Sequence, residues 1–333
     1  MHFRQWKRRE VLALLGGAAA WPLAVRAQQT SLPAVGLLVT GSPREGAIIE
    51  NLAAFRRGLA ETGRVDGRNV TIEPRWVDGH PERLPALAAE LVRRSVAVIA
   101  TLGGSPAALA AKEATSTIPI VFAVGVDPVE FGLVASLQRP GGNLTGITDL
   151  NSFVAAKRLE LLHELVPVAA SIGLLINPSN QATVVIAKGM QEPAQILGVS
   201  LLVLNASDKS ELEGAFATLV QRHAGALMTS ADPLFFNQRD DLVALAARYA
   251  VPVLSPFNEF TAAGGLLSYG TNQADIVRQV GVYTGRILNG AKPADLPVQQ
   301  ATKIRLSINM KTAKALGLTF PLTLLGRADE VIE

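Results

Sequence analysis

From residue 35 onward the chain alternates between short continuous apolar runs and longer stretches whose apolar side chains recur at helical spacing. Runs at 35–40, 96–101 and 119–123 consist largely of Val, Ile, Leu and Ala, the pattern of strands covered on both faces in a parallel sheet. Between the first two lie a predicted helix at 46–61, with Leu52, Phe55 and Leu59 in register, a strand ending at Trp76, and a helix carrying Leu84, Leu87, Leu91 and Val92. In that second strand Val70, Ile72 and Pro74 alternate with Thr71, Glu73 and Arg75, and a central strand would tolerate Pro74 poorly. An alanine-rich helix follows the 96–101 run, a short helix is expected at 131–137, and 145–148 reads as one more strand. This order of elements is that of a doubly wound α/β layer.

The second half repeats the first. VGLLVT at 35–40 is echoed by IGLLIN at 172–177, AVIAT at 97–101 by GALMT at 225–229, and PIVF at 119–122 by PVLS at 252–255. Three echoes at nearly constant offsets predict two lobes of the same doubly wound type. Helices are expected at 153–166, where Leu159, Leu162 and Leu165 share a face, and at 183–197, 212–222 and 240–249, with a strand at 201–204. The chain should cross between lobes near 148–152, again just beyond 255, and a third time at 293–297. On this reading the first lobe comprises 28–149 plus about 258–293, and the second 150–257 plus about 294–333. The returning segment supplies a short helix at 257–263, a strand at 266–269 and a helix marked by Ile276, Val280, Tyr283 and Ile287; a strand at 304–308 and a helix at 312–316 finish the second lobe.

The start of the chain reads differently. Arg4, Lys7, Arg8 and Arg9 precede an apolar stretch at 11–25 and a small-residue site at Val25, Arg26 and Ala27, the organisation of an export signal removed after residue 27. Arg8-Arg9 resembles the twin-arginine type, with an ordinary secretory signal as the alternative. Five of the 31 basic and one of the 28 acidic residues lie there, so the expected mature chain of 306 residues carries 26 against 27 and a formal charge of −1. The basic balance of the full chain therefore gives no support to nucleic-acid or membrane-surface binding. Absence of cysteine excludes disulfides, thiolate metal sites, a cysteine nucleophile and a lipid-anchored cysteine after cleavage.

Candidate chemistry gathers where strands end. Thr101, Gly103, Gly104, Ser105 and Pro106 form a turn into a helix, with Ser105 the expected N-cap and Pro106 the first helical residue, so unpaired N–H groups would face an anion. The Lys of a phosphate-binding loop is missing, no Gly-x-Ser-x-Gly elbow occurs, and His80, His163 and His223 lie far apart in sequence without metal-ligand spacing. No catalytic residue, metal or cofactor is expected. Ser42, Gly104, Ser105 and Asp127 in the first half, and Asn177, Asp232 and Ser255 in the second, instead suit a small zwitterion, hydroxyls and amides meeting a carboxylate and an aspartate meeting an ammonium. Asp127-Pro128 and Asp232-Pro233 read equally well as helix caps. Phe235, Phe236, Phe257 and Tyr269 could flank a flat side chain or pack in the core.

Several stretches together resemble one family: RREVLALLGGAAAWPLAVRAQQ, LPALAAELVRRSVAVIATLGGSPAALAAKEATSTIPIVFAVGVDPVEFGLVASLQRPGGNLTGIT, AAKRLELLHELVP, RDDLVALAARYAVPVLSPFNEFTAAGGLLSYGTN and RQVGVYTGRILNGAKPADLPVQQATK. The family is that of ABC-transporter substrate-binding proteins related to the tryptophan and tyrosine uptake type, and the resemblance covers the whole chain. It implies two Rossmann-like lobes joined by three crossing segments, a type 1 periplasmic binding protein that closes about a solute and presents it to an inner-membrane permease with its ATPase. An aromatic amino acid or related organic acid is the implied ligand, and Ser42, Gly104, Ser105, Asp127, Asn177, Asp232 and Tyr269 are the matching cleft positions. A periplasmic monomer is expected. The rival readings are an exported sensor using the same cleft and a periplasmic α/β enzyme.

Overall fold

The computed structural model describes residues 32–43, 46–149 and 151–333; the expected export signal at 1–27 lies outside them. Thirteen strands occur among the described residues: β1 (Ala34–Val39), β2 (Thr71–Trp76), β3 (Val98–Leu102), β4 (Ile120–Val124), β5 (Leu144–Asp149), β6 (Ser171–Ile176), β7 (Ser200–Asn205), β8 (Ala226–Thr229), β9 (Val253–Phe257), β10 (Leu267–Thr271), β11 (Gln299–Ala301), β12 (Arg305–Asn309) and β13 (Glu330–Ile332). They form a six-stranded sheet, β11-β5-β4-β3-β1-β2, and a seven-stranded sheet, β13-β12-β10-β9-β8-β6-β7. All pairs are parallel except β10 with β12. β3 and β4 are buried along their length, as their unbroken apolar runs predict. Pro74 sits opposite Leu37 on β2, which is an edge strand, so its missing N–H leaves no inner ladder bond unmade.

The repeat in sequence is a repeat in topology. β2-β1-β3-β4-β5 and β7-β6-β8-β9-β10 have the same order, and the echoed segments fall on β1 and β6, β3 and β8, β4 and β9. Each sheet carries one main apolar cluster on either face. The helix Gln273–Leu288 belongs to the first lobe and is held there by close approach to the helix Gly46–Glu61. A Cβ on Gly58 would stand 1.8 Å from the Arg278 carbonyl oxygen, and one on Gly281 2.2 Å from that of Phe55, so only glycine permits this contact.

Several boundaries differ from the sequence reading. The segment 258–271 was expected in the first lobe, but β10 pairs with β9 and β12 in the second sheet, and the helix Asn258–Ala262 packs beside it through Thr261, whose hydroxyl donates to Ser268 Oγ at 2.7 Å. The return crossing comes after Thr271, where Asn272 caps the next helix by accepting from the Asp275 N–H at 3.0 Å. The third crossing is not at 293–297, because the chain first adds β11 to the edge of the first sheet. No helix forms at 131–137: Gly132 has φ of 66°, and turns carry Leu133 and Val134 into the first-lobe core. The expected helix at 183–197 is divided at Met190 into Gln181–Gly189 and Gln191–Ile196.

Candidate functional site

Parallel sheets bind ligands beyond the C-terminal ends of their strands, and here those ends face each other. Between them lies an inner cavity of about 60 Å³, lined by Leu102, Gly104, Ala123, Val124, Gly125 and Asn51 of the first lobe and by Ala231, Pro233, Phe236, Asn237 and Phe257 of the second. Asp149, Asn151, Gln273 and Ile276 close it on the side of the crossings. It is small because Phe236 and Phe257 pack edge to face, 5.2 Å between centroids, and meet Ala47 across the cleft. Past Pro233 and Asn237 the cleft widens into an outer chamber of about 270 Å³, bordered by Thr40, Asp78, Gly103, Pro106, Asn177, Asn180 and Asp232 among others.

The turn after β3 departs from expectation in one respect. Gly103, not Ser105, is the N-cap of the helix Gly104–Ala114, and no side chain caps it. Ser105 is instead buried in the first turn, 4% exposed. The leading N–H groups therefore keep their capacity for an anion. Gly104 lines the inner cavity with φ of 63°, and a Cβ there would come within 3.2 Å of Pro233 Cγ, so this is one of the places where the two lobes approach closely.

At the first crossing a polar network is buried around Asp149. Its carboxylate accepts from the Asn151 backbone N–H at 3.1 Å, from Asn151 Nδ2 at 2.6 Å and from Thr271 Oγ1 at 3.3 Å. Burial raises its pKa, while the Asn151 donors and the charge of Arg158 act in the opposite direction. Arg158, from the helix Ala155–Leu165, is 2% exposed and donates to the carbonyls of Tyr269 at 2.7 Å and Asn151 at 2.8 Å, and also to Asn151 Oδ1. Desolvation lowers its pKa to about 10, so the guanidinium remains charged at neutral pH.

The remaining sequence candidates are dispersed. Asp232 caps the helix Pro233–Asn237, accepting from the Leu234 N–H at 2.8 Å, and its carboxylate also takes Asn177 Nδ2 at 3.2 Å and Asn180 Nδ2 at 2.8 Å. Burial raises its pKa. Asp232 and Asn177 thus come together on the outer chamber, with the aspartate's oxygens already engaged. Asp127 accepts from the Val129 and Glu130 N–H groups and borders a different groove, beside Phe153 and Val185. Ser42 lines neither chamber. Ser255 is buried and accepts from the Phe257 N–H. Of the four aromatics, Phe236 and Phe257 reach the cavity, whereas Phe235 and Tyr269 pack into second-lobe clusters. Sequence reasoning missed Asn51, Asp149, Asn151 and Gln273, which follow no motif. Arg158 had a signal: it shares the helical face of Leu162 and Leu165, where a charge is out of place.

Across the cleft mouth, Arg239 Nη2 donates to both Glu50 carboxylate oxygens at 3.1 and 3.0 Å, and its guanidinium lies 5.5 Å from the Phe236 ring centroid. Asn237 Nδ2 donates to the Thr40 carbonyl at 2.9 Å. Among the described residues no cluster of His, Asp and Glu has the arrangement of a metal site, and no helix is long and apolar enough to cross a membrane.

Known proteins resemble this architecture closely. A structure of a conserved domain protein from Vibrio cholerae superposes with a TM-score of 0.81 at 27% identity, covering 90% of this chain and 99% of that one. The ABC domain in complex with L-Trp from Streptococcus pneumonia gives 0.80 at 26% identity, covering 91% and 100%. The ligand-free, open structure of a substrate binding protein with adhesive properties from Clostridium difficile gives 0.61 at 25% identity, covering 90% and 99%. In sequence, the tyrosine-binding protein of Clostridioides difficile is 28% identical over 264 residues, 79% of this chain and 75% of that protein. The model of the family described as ABC transporter substrate binding protein matches residues 44–332, and the chain belongs to that family.

Proposed function

We propose that the protein is the periplasmic solute-binding component of an ABC importer and that it binds a small carboxylate-bearing amino acid, aromatic or closely related, between its lobes. The observation that carries this reading is Asp149: a buried carboxylate at the crossing of the lobes, lining the cavity and surrounded by donors that keep it an acceptor. It takes the solute's ammonium, the uncapped N–H groups at Gly104 and Ser105 take the carboxylate, and Phe236 and Phe257 flank the apolar part. The basic and apolar pattern of residues 1–27 supports delivery to the periplasm.

Binding works by hinge closure on this reading. The solute touches both lobes only when they are together, so its differential affinity shifts the open and closed populations. Contacts from Arg239 to Glu50 and from Asn237 to Thr40 belong to the closed form. The superposition scores support that assignment: 0.80 with the L-Trp complex against 0.61 with the open ligand-free neighbour, at 26% and 25% identity.

The test is isothermal titration of the protein with L-tyrosine, L-tryptophan and their analogues lacking the amine. Wild type is expected to prefer the amino acids, and D149N to lose about 2 kcal/mol for them, roughly thirtyfold in Kd, with little change for the amine-free acids. A protein that bound only sugars, or amino acids equally well with and without Asp149, would exclude this mode of recognition.

A further inference from the structure

Arg158 is almost completely buried, yet among the described residues its hydrogen bonds go to no carboxylate. Removing a guanidinium from water costs several kcal/mol unless its donors are placed with care. Here two are spent on main-chain carbonyls, those of Tyr269 and Asn151, and a third on Asn151 Oδ1. Arginine has only donors, so Asn151 must present its oxygen to Arg158 and is left with its amide hydrogens for the other side. On that other side stands Asp149 Oδ2, 2.6 Å from Asn151 Nδ2.

We infer that Arg158, too deeply buried to meet a solute, is a positioning residue for recognition: by locking the side-chain amide of Asn151 it holds Asp149 as an acceptor aimed into the cavity. This rests on the reading of Asp149 as the ammonium partner. Two further contacts fit the assignment. A Cβ on Gly270, besides meeting the Pro256 carbonyl oxygen at 1.8 Å, would stand 3.0 Å from Asn151 Oδ1, and one on Gly125 would stand 3.1 Å from Asp149 Oδ1, so glycine at both positions leaves the pair uncrowded. Arg158 also bonds the first crossing, at Asn151, to the end of β10 just before the second, at Tyr269. The groups facing Asp149 are Asn151, Thr271 and the charge of Arg158, while Tyr269 is the other ionisable group coupled to Arg158.

Carboxyl-carbon NMR titration of the ligand-free protein tests the inference without any solute. With the Asp149 resonance assigned through D149N, replacement of Arg158 by Met is expected to move its titration to higher pH, and R158K, which keeps the charge but loses the fork, to move it part of the way. An unshifted titration in either folded variant overturns the inference. If R158M does not fold, R158K alone decides. A second arm measures Kd for L-tyrosine and for 3-(4-hydroxyphenyl)propionate. R158K should weaken the amino acid about tenfold and leave the amine-free acid within roughly twofold. Equal weakening of both probes would reduce Arg158 to a structural part and overturn the inference. If wild type binds neither probe, the solute reading fails by itself, and the titration still decides the role of Arg158.

Discussion

Asp149, Asp232 and Glu259 are carboxyl groups that burial pushes above the usual range, and this common shift makes stability and recognition respond to pH in opposite directions. A carboxyl whose native pKa lies above its unfolded one holds its proton more firmly when folded. It detracts from stability at neutral pH, and that loss is relieved as pH falls from the native value toward the ordinary range near 4. Glu73, Glu164 and Asp208 act the other way, held below the usual range by hydrogen bonds from Arg94, Thr323 and Ser210 respectively, so their contribution disappears at lower pH. Calorimetry is expected to show the melting temperature climbing as pH is lowered from the raised titrations of the buried carboxyls toward the ordinary carboxyl range, and falling below it as the lowered carboxyls take up protons. Affinity for L-tyrosine should decline once acidification reaches the raised titration of Asp149 and it takes up its proton; a rise in affinity on acidification would remove Asp149 from the site. None of these three roles is marked in the sequence as such. Asp232 was legible as a cap because a proline follows it; at Asp149 the crossing near 148–152 was legible, but not that the aspartate's side chain is buried there and lines the cavity.

Among the elements, the strands with unbroken apolar runs were legible because a parallel sheet covered on both faces demands them. What an apolar run does not carry is the identity of its sheet, and β10 was assigned to the wrong lobe for that reason. Membership is decided by contacts such as those of the helix Gln273–Leu288 with Gly46–Glu61, where glycines admit backbone to backbone. G281A is expected to lower stability by about 2–3 kcal/mol, since its methyl meets a main-chain oxygen that has no room to move. G214A, on a helix with nothing within 4 Å of the new Cβ, should instead raise stability by about 0.5–1 kcal/mol. Chemical denaturation of the two variants, compared by midpoint, checks both signs together.

For the whole molecule, the doubled plan was readable from three echoed strands, and the topology repeats it strand for strand. The relation of the lobes was not readable, because Glu50 and Arg239 are far apart in the chain and ordinary in composition. Glu50 is 57% exposed at its side chain, so the pair contributes only about 0.5–1 kcal/mol. Where open and closed forms are nearly balanced that is enough: E50A is expected to raise the radius of gyration measured by small-angle scattering without ligand and to speed ligand dissociation severalfold. Unchanged scattering and dissociation would mean that the pair does not govern closure.

The placement of β11 and β12 bears on how the molecule is built. Each sheet is completed from beyond residue 298, the first by β11 beside β5 and the second by β12 beside β10 and β13 beyond it. A domain made of one continuous segment can fold while the rest of its chain is still being synthesised. Here the edge strands of both lobes come from the same late stretch of chain, so neither lobe is a single continuous segment. Neither sheet has all its strands until residues 299–333 are present.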